Sequence, residues 1–203
     1  MQINSEDLKK IVTWSYELTV LMPSPKEYNK KEEDRKKFVI DSRSKFKSLP
    51  EALRQMDDAA ASITHFVKTA AYFLPRKDAG VKPEQMLPFL QRLLEQVGEL
   101  NSTIEKPEMV REHLMYLIGY ANWNADAVCV ILTANNGDFN KSSEVIRKMV
   151  KAELRVLGAE DQVNDICSRV EKWVKREDSS RQGGNQNRER NYNRGGYQQR
   201  RGY

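Results

Sequence analysis

The chain is short of everything that would announce an enzyme, a membrane protein or a secreted scaffold. Its longest uninterrupted apolar run is the six-residue AVCVIL at 127–132, far below the ~20 residues that span a bilayer. It has two cysteines, Cys129 and Cys167, and two histidines, His65 and His113. That is too few for a disulfide framework, and no Cys/His spacing matches a zinc site. The opening MQINSEDLKKIV has no apolar core of the signal-peptide kind. No Walker-type loop, G-x-G-x-x-G, nucleophile elbow or Glu-x-x-His pair occurs, so the usual phosphate, dinucleotide, acyl-transfer and di-metal chemistries have no signature. The adjacent acids Asp57 and Asp58 would point in different directions on a helix and read as solvated charges. These absences predict a non-enzymatic protein of the reducing cytoplasm, with no metal, cofactor or membrane partner.

Aliphatic side chains are missing altogether from the last thirteen residues, NYNRGGYQQRRGY, at 191–203. Nothing there can be buried to offset the entropy of ordering the backbone. From residue 179 onward the chain is built of Arg, Gly, Asn, Gln and Tyr and is predicted to be a disordered tail. It holds six of the chain's 34 basic residues and one of its 29 acidic residues, Glu189, which leaves 28 of each in residues 1–178. The whole formal excess of +5 therefore sits in the tail. A neutral body with an uncompensated cationic tail is the layout of a polyanion binder. Within the body, residues 26–47 carry nine bases and five acids, and 48–140 carry eight bases and twelve acids. If 26–47 is helical, Lys36, Arg43 and Lys47 share a face.

Between those charges runs a helical pattern. Leu53, Met56, Ala60, Ile63, Val67, Ala70 and Leu74 recur at alternating spacings of 3 and 4, an amphipathic stripe held for three heptads. Pro50 suits its first turn and Pro75 ends it. A second stripe, Val110, Leu114, Leu117, Ile118, Ala121, Ala125, Val128 and Leu132, opens at Pro107 and closes at the NNG of 135–137, a left-handed cap. Between them Met86, Leu90, Leu93, Leu94 and Val97 form one side of a helix whose first turn is disturbed by Pro88. Shorter stripes are Leu8/Ile11/Val12/Leu18 before the break at 23–25, Val145/Ile146/Met149/Val150/Leu157 ending at Gly158, and Val163/Ile166/Val170/Trp173. No alternating strand pattern stands out. The prediction is an all-α fold: a compact bundle of about six or seven helices over 1–178, and a disordered C-terminal Arg/Gly/Tyr-rich tail over 179–203.

Candidate nucleic-acid contacts follow from side-chain chemistry. In the tail, Arg181, Arg188, Arg190, Arg194, Arg200 and Arg201 offer planar guanidinium groups for phosphates, and Tyr192, Tyr197 and Tyr203 can stack on unpaired bases. On the body, Arg147, Lys148, Lys151 and Arg155 form one basic row, and Arg169, Lys172, Lys175 and Arg176 another. Each is a solvated helix face on the plainest reading, or part of a phosphate track leading into the tail. A further row, Met109, His113, Tyr116, Tyr120 and Trp123, reads first as core, and otherwise as a surface for stacking bases or meeting a partner subunit.

Two resemblances bear on these residues. Arg194-Gly195-Gly196, followed by Tyr197, resembles the RGG boxes of RNA-binding proteins. The stretches ITHFVKTAAYFLPR, PFLQRLLEQV and REHLMYLIGYANW, within 63–123, resemble the small helical subunits of type III CRISPR effector complexes. That likeness implies a compact helical bundle that stacks along an RNA-bound backbone and meets target RNA through basic surfaces. The chain departs from that pattern in its two further helices and its tail, and no site residue transfers from it. The reading is a non-enzymatic protein binding RNA or another single-stranded nucleic acid, with a helical body for docking or oligomerisation and a tail for sequence-tolerant affinity. The alternative is a structural subunit of a ribonucleoprotein. Expected partners are RNA, with self-association or membership of a ribonucleoprotein on the protein side.

Overall fold

The computed structural model describes residues 3–28, 36–40, 83–104 and 107–176, which are predominantly helical. In chain order the elements are α1 (Ser5–Thr19), β1 (Lys26–Tyr28), β2 (Lys37–Val39), α2 (Pro83–Thr103), α3 (Pro107–Ala134), α4 (Phe139–Val156), a 3-10 turn (Glu160–Gln162) and α5 (Val163–Val174). The Leu53–Leu74 stripe, Arg43, Lys47 and the 179–203 tail lie outside the described residues.

Local chemistry sets the helix ends. Asn4 caps α1: its Oδ1 accepts from the Asp7 N–H at 2.8 Å, and its Nδ2 donates to Asp7 Oδ2 at 2.7 Å. Glu6 and Asp7 add negative charge where the helix dipole favours it. Asp138 caps α4 by accepting from the Lys141 N–H, and this bond holds its carboxyl below the usual range. α3 ends as expected at Asn136 and Gly137, with φ of 52° and 76°, while the Gly137 N–H bonds the Leu132 carbonyl at 2.8 Å. Glycine is required there twice over, since a Cβ would also meet the Phe38 ring at 3.0 Å.

α3 is the centre of the fold, and all eight residues of its predicted stripe are buried. α1 lies along it, held by apolar packing and by small polar groups at the seam. Asn124 Nδ2 donates to Ser15 Oγ at 3.0 Å, and Thr19 Oγ1 reaches the Ala121 carbonyl at 3.1 Å. The buried His113 joins the two N-termini, with Nδ1 2.7 Å from the Met109 carbonyl and Nε2 3.3 Å from Asp7 Oδ2. α5 closes the far end of α1: Trp173, fully buried, donates from Nε1 to the Met22 carbonyl at 2.9 Å, and Ser24 Oγ donates to the Arg176 carbonyl.

Three expectations need correction. The fold is not purely helical, because β1 and β2 pair antiparallel with Glu27 opposite Phe38. Lys36 therefore sits at a hairpin and not on a helix face. The strand wins locally because Phe38 and Val39 suit a half-buried pleat and because α3 supplies partners for its edge: the Phe38 N–H donates to Thr133 Oγ1 at 3.0 Å and the Lys36 N–H to Asn136 Oδ1 at 3.1 Å. On α2, Leu94 is 42% exposed, and the buried side runs instead through Phe89, Leu93, Gln96, Val97 and Leu100. The helix passes through Pro88 at an exposed position, which costs it one intrahelical hydrogen bond to the preceding turn. On α4, Val145 is likewise 42% exposed, and Ser142, Ile146, Val150 and Leu154 form the inner row.

Two measurements check this packing. Trp173→Ala removes a buried indole and leaves the Met22 carbonyl without its donor, so chemical denaturation should show a loss of about 3–5 kcal/mol. Burial first, and then the Glu153 carboxylate bonded to its hydroxyl, push the Tyr16 phenol far above its ordinary value. The folded chain keeps this proton after the unfolded chain has released it. The contribution is therefore intact below about pH 10 and lost as pH rises beyond it. Stability followed from neutral to alkaline pH should fall more steeply in the parent than in Tyr16→Phe.

Candidate nucleic-acid interface

The amphipathic spacing that buries Ile146, Val150 and Leu154 turns the α4 cations outward, and most of them meet carboxylates there. Arg147 donates to Asn164 Oδ1 at 3.1 Å and lies 3.8 Å from Glu171 Oε1. Lys148 pairs with Glu144 one turn back at 2.7 Å, a bond that lowers the Glu144 carboxyl below its usual range. Arg155 reaches Glu160 at 3.3 Å. On α5, Arg169 is 2.8 Å from Asp165 and 3.9 Å from Glu17. Arg176 donates to the Val20 carbonyl at 3.1 Å, and Lys175 sits 4.2 Å from the centre of the Phe139 ring. Among the candidate cations of the described residues, Lys151, Lys172, Lys175 and Arg176 are exposed and show no carboxylate partner, and of these Lys175 meets the Phe139 ring and Arg176 the Val20 carbonyl.

The two rows are not brought together as one track. Arg147 touches α5 through Asn164 and Glu171, whereas Arg169 faces α1. At 100° per residue, Asn164 and Arg169 are separated by ~140° around the α5 axis. Arg169 therefore lies on a different side of α5 from the α4 row, with Asn164 and Glu171 on the α4 side, where Lys175 also meets the Phe139 ring. The tail residues Arg181, Arg188, Arg190, Tyr192, Arg194, Tyr197, Arg200, Arg201 and Tyr203 fall outside the described residues.

A charge network absent from the sequence reading lies on the α1 side of α5. Arg92 from α2 grips Glu17 with Nε at 2.8 Å and Nη2 at 2.7 Å, and meets Glu95 at 2.9 Å and Glu99 at 3.6 Å. Glu17 continues to Arg169 and through it to Asp165. The Trp14 ring lies beneath Lys10 Nζ, 4.3 Å from the ring centre, and 5.9 Å from the Arg92 guanidinium. Thr13, Trp14, Glu17, Gln162, Asp165 and Arg169 line a cleft of about 200 Å³ here. The network sets Arg92 and Arg169 against Glu17, Glu95, Glu99 and Asp165, so the cleft presents no unmatched cation to a phosphate. No local pattern reveals this network, because Glu17, Arg92 and Arg169 are far apart in the chain.

The aromatic row is only partly core, since Tyr120 packs against the core while Tyr116 and Trp123 do not. Tyr116 and Trp123 are 44% and 71% exposed and Tyr120 is half-buried, while His113 alone is fully enclosed. The Tyr116 and Tyr120 rings lie 6.3 Å apart at 27°, and Trp123 meets Tyr120 edge-on at 6.0 Å.

Among the described residues no cluster of His, Cys, Asp and Glu is placed to hold a metal, and no described helix is long and apolar enough to cross a membrane. Cys129 and Cys167 are both free and buried. Burial pushes the Cys167 thiol up, which is the opposite of what a nucleophile needs. No family model, curated protein or solved structure matches this chain.

The paired and free cations should separate in stability measurements. Arg92→Ala takes the guanidinium from Glu17, leaving it Gln96 Nε2 and the more distant Arg169, and should cost about 1–2 kcal/mol in denaturant unfolding. Lys151→Ala and Lys172→Ala should each stay within about 0.5 kcal/mol of the parent.

Proposed function

We propose that this is a non-enzymatic, cytoplasmic RNA-binding protein. Its helical body serves as a docking platform, and residues 179–203 supply sequence-tolerant affinity for single-stranded RNA. The observation that carries the reading is the partition of charge. The body's bases equal its acids in number, and on α4 and α5 Arg147, Lys148, Arg155 and Arg169 already face carboxylates. The tail has six arginines against Glu189 alone, with Tyr192, Tyr197 and Tyr203 interleaved. Arginine without lysine favours bidentate phosphate contact and stacking over simple charge, and tyrosine stacks on any base. A basic segment with one acid among six arginines loses little by moving onto a polyanion, whereas Arg147, Lys148, Arg155 and Arg169 would first have to leave their carboxylates.

A structural subunit of a ribonucleoprotein, such as a type III CRISPR effector, is the second reading. The uncovered aromatic side of α3 supports it, since a subunit needs a face for its neighbours.

Salt dependence distinguishes tail from body. Each phosphate neutralised on single-stranded RNA contributes a log–log slope of roughly −0.7, so replacing all six tail arginines by Gln in the full-length chain should make the slope shallower by about 3 to 4 units. Replacing Tyr192, Tyr197 and Tyr203 by Ala should weaken binding at every salt concentration, by up to ~1–3 kcal/mol per stacked base, and leave the slope unchanged. Equal affinity and slope for the parent and the arginine-free tail would transfer the site to the body.

A further inference from the structure

α3 is apolar on two sides. One side is the buried stripe against α1. On the opposite side Tyr116, Tyr120, Trp123, Ala127, Val130 and Ala134 fall within ~80° of arc at 100° per residue. Trp123 and Val130 are 71% and 66% exposed, and Ala134 is exposed as well. Of residues 114–134 only Asp126 is charged, and it lies ~80° away from the centre of this strip. A helix that is apolar all round belongs in an interior, and α4 and α5, with their charged outer faces, show how this chain treats a side meant for water. The strip is an exposed apolar surface that none of the described elements covers.

We propose that its cover is the same strip of a second copy, packed antiparallel about a two-fold axis at the level of Ala125. Two features point to self-association. The first is charge: the strip offers neither cation nor anion to a phosphate backbone or an acidic peptide, and it matches only a face as free of charge as itself. The second is size. The strip is large at its N-terminal half (Tyr116, Tyr120, Trp123) and small at its C-terminal half (Ala127, Val130, Ala134). An antiparallel two-fold turns this gradient into complementarity. It sets Tyr116 level with the partner's Ala134, Tyr120 with the partner's Val130 and Trp123 with the partner's Ala127. Each bulky ring then meets a small side chain, as close helix packing requires. Gly119, beside the strip, has open space around the position a Cβ would take, so the two helices can approach closely. The seam is ~27 Å long at 1.5 Å per residue. A single helix pair buries less than the ~800 Å² per partner of a standard interface, so the dimer is weak, forming in the micromolar range.

The register gives a specific test. Sedimentation velocity of the full-length protein across the micromolar range should show the mass rising from one chain to two. Trp123→Glu and Ala127→Lys should each stay monomeric, because each sets a lone charge against the partner's apolar side chain. Both should keep the parent's helicity, since the strip faces water in the monomer. Mixing the two variants should restore the two-chain mass, because the antiparallel register brings the new carboxylate opposite the new ammonium at one contact and leaves the opposite Trp–Ala contact native. A parent that is monomeric at every concentration overturns the proposal, as does either variant that still self-associates, or a mixture that stays monomeric. Loss of helicity in dilute variants would assign the strip to the chain's own residues. Loss of RNA affinity with no change in mass would assign it to base stacking. Either result also overturns the dimer.

Discussion

A helix of 28 residues with apolar side chains around most of its circumference must be surrounded. α3 imposes this constraint, and the remaining described elements are arranged by it. α1 takes one side, with Ser15, Thr19, Ala121 and Asn124 letting the two backbones come close while the Ser15, Thr19 and Asn124 side chains hydrogen-bond across or along the seam. α2 and the hairpin take flanks, the hairpin by borrowing Thr133 and Asn136 as partners for its edge. α4 and α5 then cap the C-terminal end of α3 and the far end of α1, each with a single buried row. The solvent side of α3 is the remainder of the same requirement, which is why a row of rings on a neutral surface reads as an interface and not as chance exposure.

Charge is distributed by a different logic. Inside the fold, cations are placed to hold elements together: Arg92 ties α2 to α1, Arg169 ties α5 to α1, and Arg147 ties α4 to α5. Each such pair is worth little alone when exposed, but together they occupy Arg92, Arg147 and Arg169 within the described fold. The tail has the reverse arrangement, cations with almost no acids. The RNA binding proposed for the tail and the packing of the body are thus separable in charge as well as in sequence.

Much of the fold was legible from periodicity, because burial on one face repeats every three or four residues. The Val110–Leu132 and Val163–Trp173 stripes are buried as the spacing predicts, and the helix stops at Gly137 and Gly158 follow from left-handed backbone at those glycines. The misreadings have physical causes. Leu94 and Val145 are apolar residues one step outside the buried arc, and spacing alone cannot tell an edge position from an inner one. The hairpin is too short to show alternation, and it forms because α3 offers it side-chain acceptors. The basic rows were visible as residues, and the local pairs Glu144–Lys148 and Asp165–Arg169 lie at helical spacing, whereas Glu17 and Glu171 reach Arg169 and Arg147 from distant elements. The aromatic row was legible as a stripe, and its side of the helix was not.

The most direct test of the functional account is photo-crosslinking of the full-length protein to an unstructured RNA, with mass spectrometry of the crosslinked peptides. The account predicts adducts concentrated at Tyr192, Tyr197 and Tyr203 and on the neighbouring arginines. Adducts confined to α4 and α5, or to Tyr116 and Trp123 on α3, would contradict it.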